Sequence, residues 1–383
     1  MDKLIKDSKY IQSLLENEEI KYNEVIKLFP SVDFNLLKNF YISGVEDDIS
    51  LLKLAEDMNL LNCGKLTEVL IKIKLLNINF SGLNTDLIRE IEVELNKITK
   101  ISSGYYHSIG LKKDGTITCI DKDFLSGGGF IDIASGEYHS VALREDGTVV
   151  TWGSNAKNQL KRSPIHAGYT AIACGANHSV GVNRNGFIMT WGDSSKYQNK
   201  DSPGGIKFLA IACGKYHSVA LCYNGRIITW GDKSCSQRND EPSSEGFIAI
   251  ACGYHHSVAI HENGYIVTWG KYNQSPVGNE FIAVACGAYH SVALNKNGQI
   301  VTWGINNERQ LIGSPVEDGF IAISAGYRHS AAIHKDGSVV TWGSFGQIKY
   351  LNNCIQIVCG FNFTLALNTD GVCIKYENGW QIK

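Results

Sequence analysis

Residues Phe247–Gly270 read FIAIACGYHHSVAIHENGYIVTWG, and this stretch decides the fold. It parses as three short strands: FIAIAC alternates and ends at a small residue and Gly, HSVAIH follows, and YIVTWG closes the unit. Between the second and third strands stands Asn263–Gly264, and an Asn-Gly between two apolar runs is a strong hairpin signal. A type I′ turn, with φ > 0 at both central residues, is the expectation there. The unit returns around Gly104, Gly136, Gly175, Gly214, Gly287, Gly326 and Gly360, at spacings of 32 to 39 residues. Each copy is too small to bury its own faces and must stack on its neighbours. A flat stack would leave two exposed sheet edges, whereas radial closure into a β-propeller removes them.

Eight units can be counted. The first lacks the Trp, and the last has Phe363-Thr364 where His-Ser recurs elsewhere. The expected fold is therefore an all-β propeller of about three strands per unit over residues 98–383. Eight blades follow from the count, with seven as the alternative. Residues 1–97 differ in texture, poor in glycine and reading as short amphipathic helices at 3.6 periodicity. They carry 12 Lys and Arg against 17 Asp and Glu, and the remainder 24 against 21. Neither balance points to a nucleic-acid or membrane partner, so the change marks a domain boundary. No apolar run approaches the roughly 18 residues of a membrane span, and the N-terminus has no secretory apolar core. The expectation is a soluble intracellular protein of cytoplasm or nucleus. A richness in Ile, Asn and Lys suits an AT-rich genome such as that of a protist or a large DNA virus.

G-x-x-H-S, then A-L, D/N-G and T-W-G, recurring with their offsets intact across residues 98–383, resemble the regulator of chromosome condensation repeat family. Its longer repeats have room for a further strand and an N-x-x-G-Q-L-G turn after W-G. Only traces stand here, in Asn155–Leu160 and Asn306–Leu311, so the short-repeat members are the nearer pattern. Those include inhibitors that act through one propeller face. The family's founding member is a guanine-nucleotide exchange factor for a Ran-like small GTPase, which the resemblance leaves as an alternative function. In the N-terminal segment, Glu24–Lys74 resembles the second half of a BTB/POZ domain, with a Tyr41-x-x-Gly44 turn before LLKLAEDMNLL. That similarity implies a substrate adaptor docking to a cullin-type ligase; an unrelated helical cap is the other reading.

The repeated polar residues invite chemistry and then decline it. Seven histidines (His107, His139, His178, His217, His256, His290, His329) come one per blade, whereas zinc needs three or four ligands converging on one ion. They read instead as imidazoles bonded to neighbouring backbone that lock each blade to the next. Trp152, Trp191, Trp230, Trp269, Trp303 and Trp342 share one strand end and should fill the space between blades. The position preceding the repeat His lacks the additional Trp of the family's ultraviolet-B photoreceptor. Cys174, Cys213, Cys252, Cys286 and Cys359 exchange with Ser103, Ser135 and Ala325, which signals a small buried position. His-Ser is no catalytic dyad, since adjacent strand residues point to opposite faces. No nucleophile elbow, phosphate loop or H-E-x-x-H occurs. No enzyme, cofactor or metal site is expected.

Variation between copies is the better guide to function. Between Gly and His stand pairs that include Tyr106, Tyr138, Tyr216, Tyr254, His255, Tyr289, Tyr327 and Arg328. Tyr and Arg are enriched at interface hot spots, so these turns are the expected surface for a protein partner. Covering the end of a central channel is the competing role. The linkers after T-W-G hold Pro164, Pro203, Pro242, Pro276 and Pro315 and read as surface loops. Lys157, Lys161, Arg162, Lys196 and Lys200 cluster there, read as solvated surface rather than a nucleic-acid site.

Overall fold

The computed structural model describes residues 93–119, 127–198, 202–204, 206–234, 240–272, 274–344, 348–351, 353–377 and 380–382. The chain divides into two units, Met1–Asn96 and Lys97–Lys383. Residues 93–95 are helical, within the last expected N-terminal helix; the rest of those helices, and with them the BTB/POZ-like stretch and Lys200, lie outside the described residues.

From Ile98 onward the chain forms eight separate antiparallel sheets. In each, the FIAIAC-type strand pairs with the HSVAIH-type strand, which pairs with the IVTWG-type strand. The first strands contact one another around an axis, so they are inner strands. The first of them, Ile98–Ser103, meets the last, Cys354–Cys359, which closes the ring. The fold is an eight-bladed propeller. Six blades have three strands among the described residues. Blades 7 and 8 each add a fourth, Ile348–Leu351 and Trp380–Ile382.

Middle strands are buried on both faces, which is why HSVALN-type runs are nearly unbroken in apolar character. Core lies between blades rather than within them. Val219, Leu221 and Ile227 of blade 4 pack against Phe247, Ala259 and Trp269 of blade 5. The opposite face of blade 5, with Val258, Ile260 and Ile266, packs against Phe281, Ala293 and Trp303 of blade 6. Trp191, Trp230, Trp269 and Trp342 are at most 1% exposed in such clefts, and Trp152 is half-buried.

The hairpin turns depart from the type I′ expectation. Gly264 has φ 80°, whereas no positive φ occurs at Asn263 or at its equivalents. Gly264 N–H donates to His261 O at 2.7 Å, and His261 N–H donates to Tyr265 O at 3.0 Å. The loop thus holds three residues, a type I turn followed by a left-handed Gly that forms a bulge. The Asn or Asp contributes through its side chain instead: Thr148 N–H donates to Asp146 Oδ1 at 2.8 Å, and Thr116 N–H likewise to Asp114.

Among the described residues no blade combines strands from early and late sequence. The seam joins blade 8 to blade 1 through Ile101 packed on Phe363, Leu365 and Leu367. Ile98 N–H adds a bond to Gly371 O at 3.1 Å.

Candidate functional site

Every G-x-x-H turn emerges at the same end of the ring, because each joins an inner strand to a middle strand running back. The Gly has a steric reason. A Cβ at Gly175 would collide with the imidazole of His178 and with the carbonyl oxygen of Gly214 in the next blade. Only hydrogen fits there.

Each imidazole then reaches across a blade boundary. His107 Nε2 lies 2.7 Å from Ser140 Oγ, His139 2.7 Å from Ser179, His178 2.8 Å from Ser218, and His217 2.7 Å from Ser257. His256, His290 and His329 continue the series to Ser291, Ser330 and Thr364. The partner is a side-chain hydroxyl, not the backbone expected from sequence, because the Ser of the following blade faces back into the cleft. Nδ1 of His139, His178, His217, His256 and His290 has no hydrogen-bond partner among the described residues, which fits a neutral ring donating through Nε2. Burial pushes these imidazoles down, His217 to about 3 and His178 to about 4, and neighbouring histidines add to the effect at His217. The receiving Ser continues inward: Ser218 Oγ–H donates to Cys213 Sγ at 3.6 Å. Cys213 is pushed up to about 12 by burial, so these thiols are poor nucleophiles. None of the five inner-strand cysteines is in a disulfide. Among the described residues no cluster of His, Cys, Asp or Glu is placed to hold a metal ion.

At blade 8 the series stops, for Phe363 stands where the eighth His would be.

The two residues between Gly and His separate into two sets. First-position residues turn to the axis and line a cavity of about 230 Å³ with the Gly residues and the Cys/Ser/Ala positions. Tyr254 O–H donates to Glu137 Oε1 at 2.7 Å across the ring, and Lys215 Nζ lies 3.7 Å from the same oxygen and 4.4 Å over the Tyr254 ring. Tyr105 stacks on Phe361 at 3.9 Å, and Tyr327 lies 4.5 Å from Phe361. Tyr254 and Tyr327, two of the sequence-selected residues, therefore belong to an axial cap. Burial, then Glu137, pushes the Tyr254 phenol far up. Backbone bonds tie the cap together, as in Tyr105 N–H to Glu137 O and Glu137 N–H to Ala176 O.

Second-position residues face outward. Tyr106 is 61% exposed and Tyr138 46%, while Tyr216, His255, Tyr289 and Arg328 are half-buried. Tyr106 and Tyr138 rings lie 6.3 Å apart, both resting near Tyr105, so axial cap and outer aromatics form one surface. Arg328 sits 5.5 Å over Phe361 and its guanidinium lies 3.8 Å from Glu308. Gln159 Nε2–H donates to Asn177 Oδ1 at 3.0 Å, which brings the linker bearing exposed Lys157 to this end. Tyr105, Glu137 and Lys215 stand in the gap pairs that the sequence put on the partner surface but were not chosen there as site residues, and Phe361 was not singled out; their shared first gap position was the signal available.

The model of the regulator of chromosome condensation (RCC1) repeat matches residues 98–120, 130–159, 169–198, 208–237, 247–275, 281–310 and 320–347. Among solved structures, Prp20p from Saccharomyces cerevisiae, described with its binding to Gsp1p and histones, is similar at TM-score 0.51. The two are 18% identical over 63% of this chain and 84% of that one. The ectodomain of the Arabidopsis thaliana receptor kinase ACR4 matches at TM-score 0.51 and 20% identity, over 66% and 96%. The computationally designed Ika8 protein matches at TM-score 0.51 and 16% identity, over 75% and 97%. No curated protein sequence matches significantly. At these identities the structural likenesses speak to fold alone.

Proposed function

The chain belongs to the regulator of chromosome condensation (RCC1) repeat family, and from that premise we propose that it is a non-catalytic scaffold holding a protein partner on the G-x-x-H turn face. One observation carries this reading. Residues at one position of an otherwise strict repeat place large aromatic rings in solvent, Tyr106 and Tyr138 foremost. Exposed rings on a rigid frame supply contact area at low entropic cost. The repeated thiols, raised by burial, and the repeated imidazoles, buried neutral and hydrogen-bonded, are poor nucleophiles and bases. The protein is read as intracellular; no helix among the described residues is long and apolar enough to cross a membrane.

A photo-cross-linking aromatic placed at position 138 tests it. Capture of a partner from there, and not from Tyr223 at the opposite end, supports the reading; capture only from position 223 refutes it. The finer version, a ligase substrate adaptor, is tested by deleting residues 1–97, which should abolish cullin-type partners and spare the turn-face partner. A second reading is nucleotide exchange, supported by the fold likeness to Prp20p, whose binding to Gsp1p is on record. Unchanged nucleotide release from Gsp1p on adding this protein would dispose of it.

A further inference from the structure

The outer rim offers something the turn face does not: a bare strand edge beside a groove. In blade 5, Thr268 N–H donates to Ser275 Oγ at 2.8 Å, and in blade 4, Thr229 N–H donates to Glu241 Oε2 at 2.7 Å. Both acceptors belong to the blade's own linker. The N–H of this Thr therefore points away from the sheet, and alternation in an antiparallel ladder turns the group two residues earlier the same way. In blade 6 these groups belong to Thr302 and Ile300 of the outer strand Ile300–Gly304. Linker residues 305–319 are described throughout, contribute no fourth strand, and send no side-chain cap to Thr302 among the described residues.

Instead a groove of about 440 Å³ runs between Gln299–Thr302 and Ser314–Val316. Val316 is 95% exposed on its rim. Glu317 and Asp318 follow, both exposed and without an ion-pair partner among the described residues. Blade 2 shares a bare edge, but its linker carries Ile165-His166-Ala167 where blade 6 has Val316-Glu317-Asp318.

The neighbouring blade gives the occupied form of the same edge. There Ile348–Leu351, IKYL, pairs antiparallel with Ser338–Thr341, with Thr341 opposite Ile348 and Val339 opposite Tyr350. Lys349 Nζ lies 3.6 Å from Asp336.

We propose that blade 6 is a β-augmentation site: its outer edge takes an extended segment of a partner protein as an antiparallel fourth strand. Apolar side chains of that segment alternate with Lys or Arg, the basic residues meeting Glu317 and Asp318. Main-chain bonds to Ile300 and Thr302 supply affinity, and the groove with its acidic rim supplies selection. This site lies apart from the turn face and stands or falls separately from the function proposed for that face.

The probe is a blocked hexapeptide, Thr-Ile-Lys-Tyr-Lys-Leu, titrated into the full-length protein while amide exchange is followed; its two Lys share one face and Ile, Tyr and Leu the other. The expected result is saturable binding with slowed exchange at Ile300 and Thr302. N-methylation of alternate peptide amides should weaken it at least tenfold, and a Lys-to-Glu peptide should weaken it several-fold. Thr302→Pro removes the outward N–H without a ladder bond and should abolish binding. If that variant does not fold, the N-methylated peptide decides alone. Equal binding of the methylated peptide, or no protection at Ile300 and Thr302 at saturation, overturns the proposal. So does a dimer of the free protein that Thr302→Pro dissolves and the unmodified peptide cannot displace, since a second copy would then own the edge.

Discussion

At Gly214 a missing side chain is a structural requirement. Its Cα faces the ring of His217 and the carbonyl of Gly253 in the next blade, and neither can retreat without opening an interblade cleft. Gly214→Ala should cost about 3 kcal/mol, read as a shift in denaturant midpoint, as overpacking of a rigid site does. Gly204→Ala meets only the edge of the Phe187 ring at ordinary contact distance and should change stability by less than about 0.5 kcal/mol. Much of this was legible before any coordinates. Interchange of Cys, Ser and Ala before the Gly declared a small position, and offsets between Gly, His and Trp declared one scaffold. Direction was not legible at the two gap positions. Tyr105 and Tyr106 are identical letters, yet one caps the axis and the other faces solvent, because a tight turn rotates successive residues apart. The Asn-Gly pair likewise announced a hairpin but not its loop length, since both turn types place a left-handed Gly next to an Asx residue.

At the level of the blade, the His-to-Ser bond couples each sheet to the next. A double-mutant cycle on His217→Ala and Ser257→Ala should give a coupling energy of about 1 kcal/mol, the size of a buried neutral hydrogen bond. His217 paired with Ser291, two blades along, should give coupling near zero. Coupling spread equally over both pairs would mean that the imidazole acts through bulk packing alone. Sequence indicated that the histidines are architectural but assigned them to backbone. The actual partner sits 40 residues away in sequence, a pairing that a single repeat cannot display.

The whole ring sums these bonds. In the unfolded chain each imidazole takes a proton near pH 6.5. In the ring, burial holds His139, His217 and His290 to about 3, and His178, His256 and His329 to about 4. Protons therefore bind the unfolded chain preferentially, and stability falls as pH drops from 6.5 toward 4. Each such imidazole removes about 1.4 kcal/mol per pH unit in that window. Cooperative acid unfolding should set in well above pH 4, seen as a melting temperature that declines steeply below pH 6; a flat profile from pH 7 to 4.5 would refute the buried neutral ring. Blade number followed from counting repeats. The fourth strands of blades 7 and 8 did not, because Ile348–Leu351 and Trp380–Ile382 lie outside the repeated pattern.

Repeated residues build the propeller, and the outward residues of the G-x-x-H turns are proposed to hold the partner. The most direct measurement is the dissociation constant of the partner cross-linked at position 138 for the wild-type protein, Tyr106→Ala/Tyr138→Ala, and Tyr223→Ala at the opposite end of the blades. The double variant should lose at least tenfold in affinity, about 1.4 kcal/mol or more, with Tyr223→Ala within twofold of wild type. Undiminished binding by Tyr106→Ala/Tyr138→Ala at unchanged stability would contradict it.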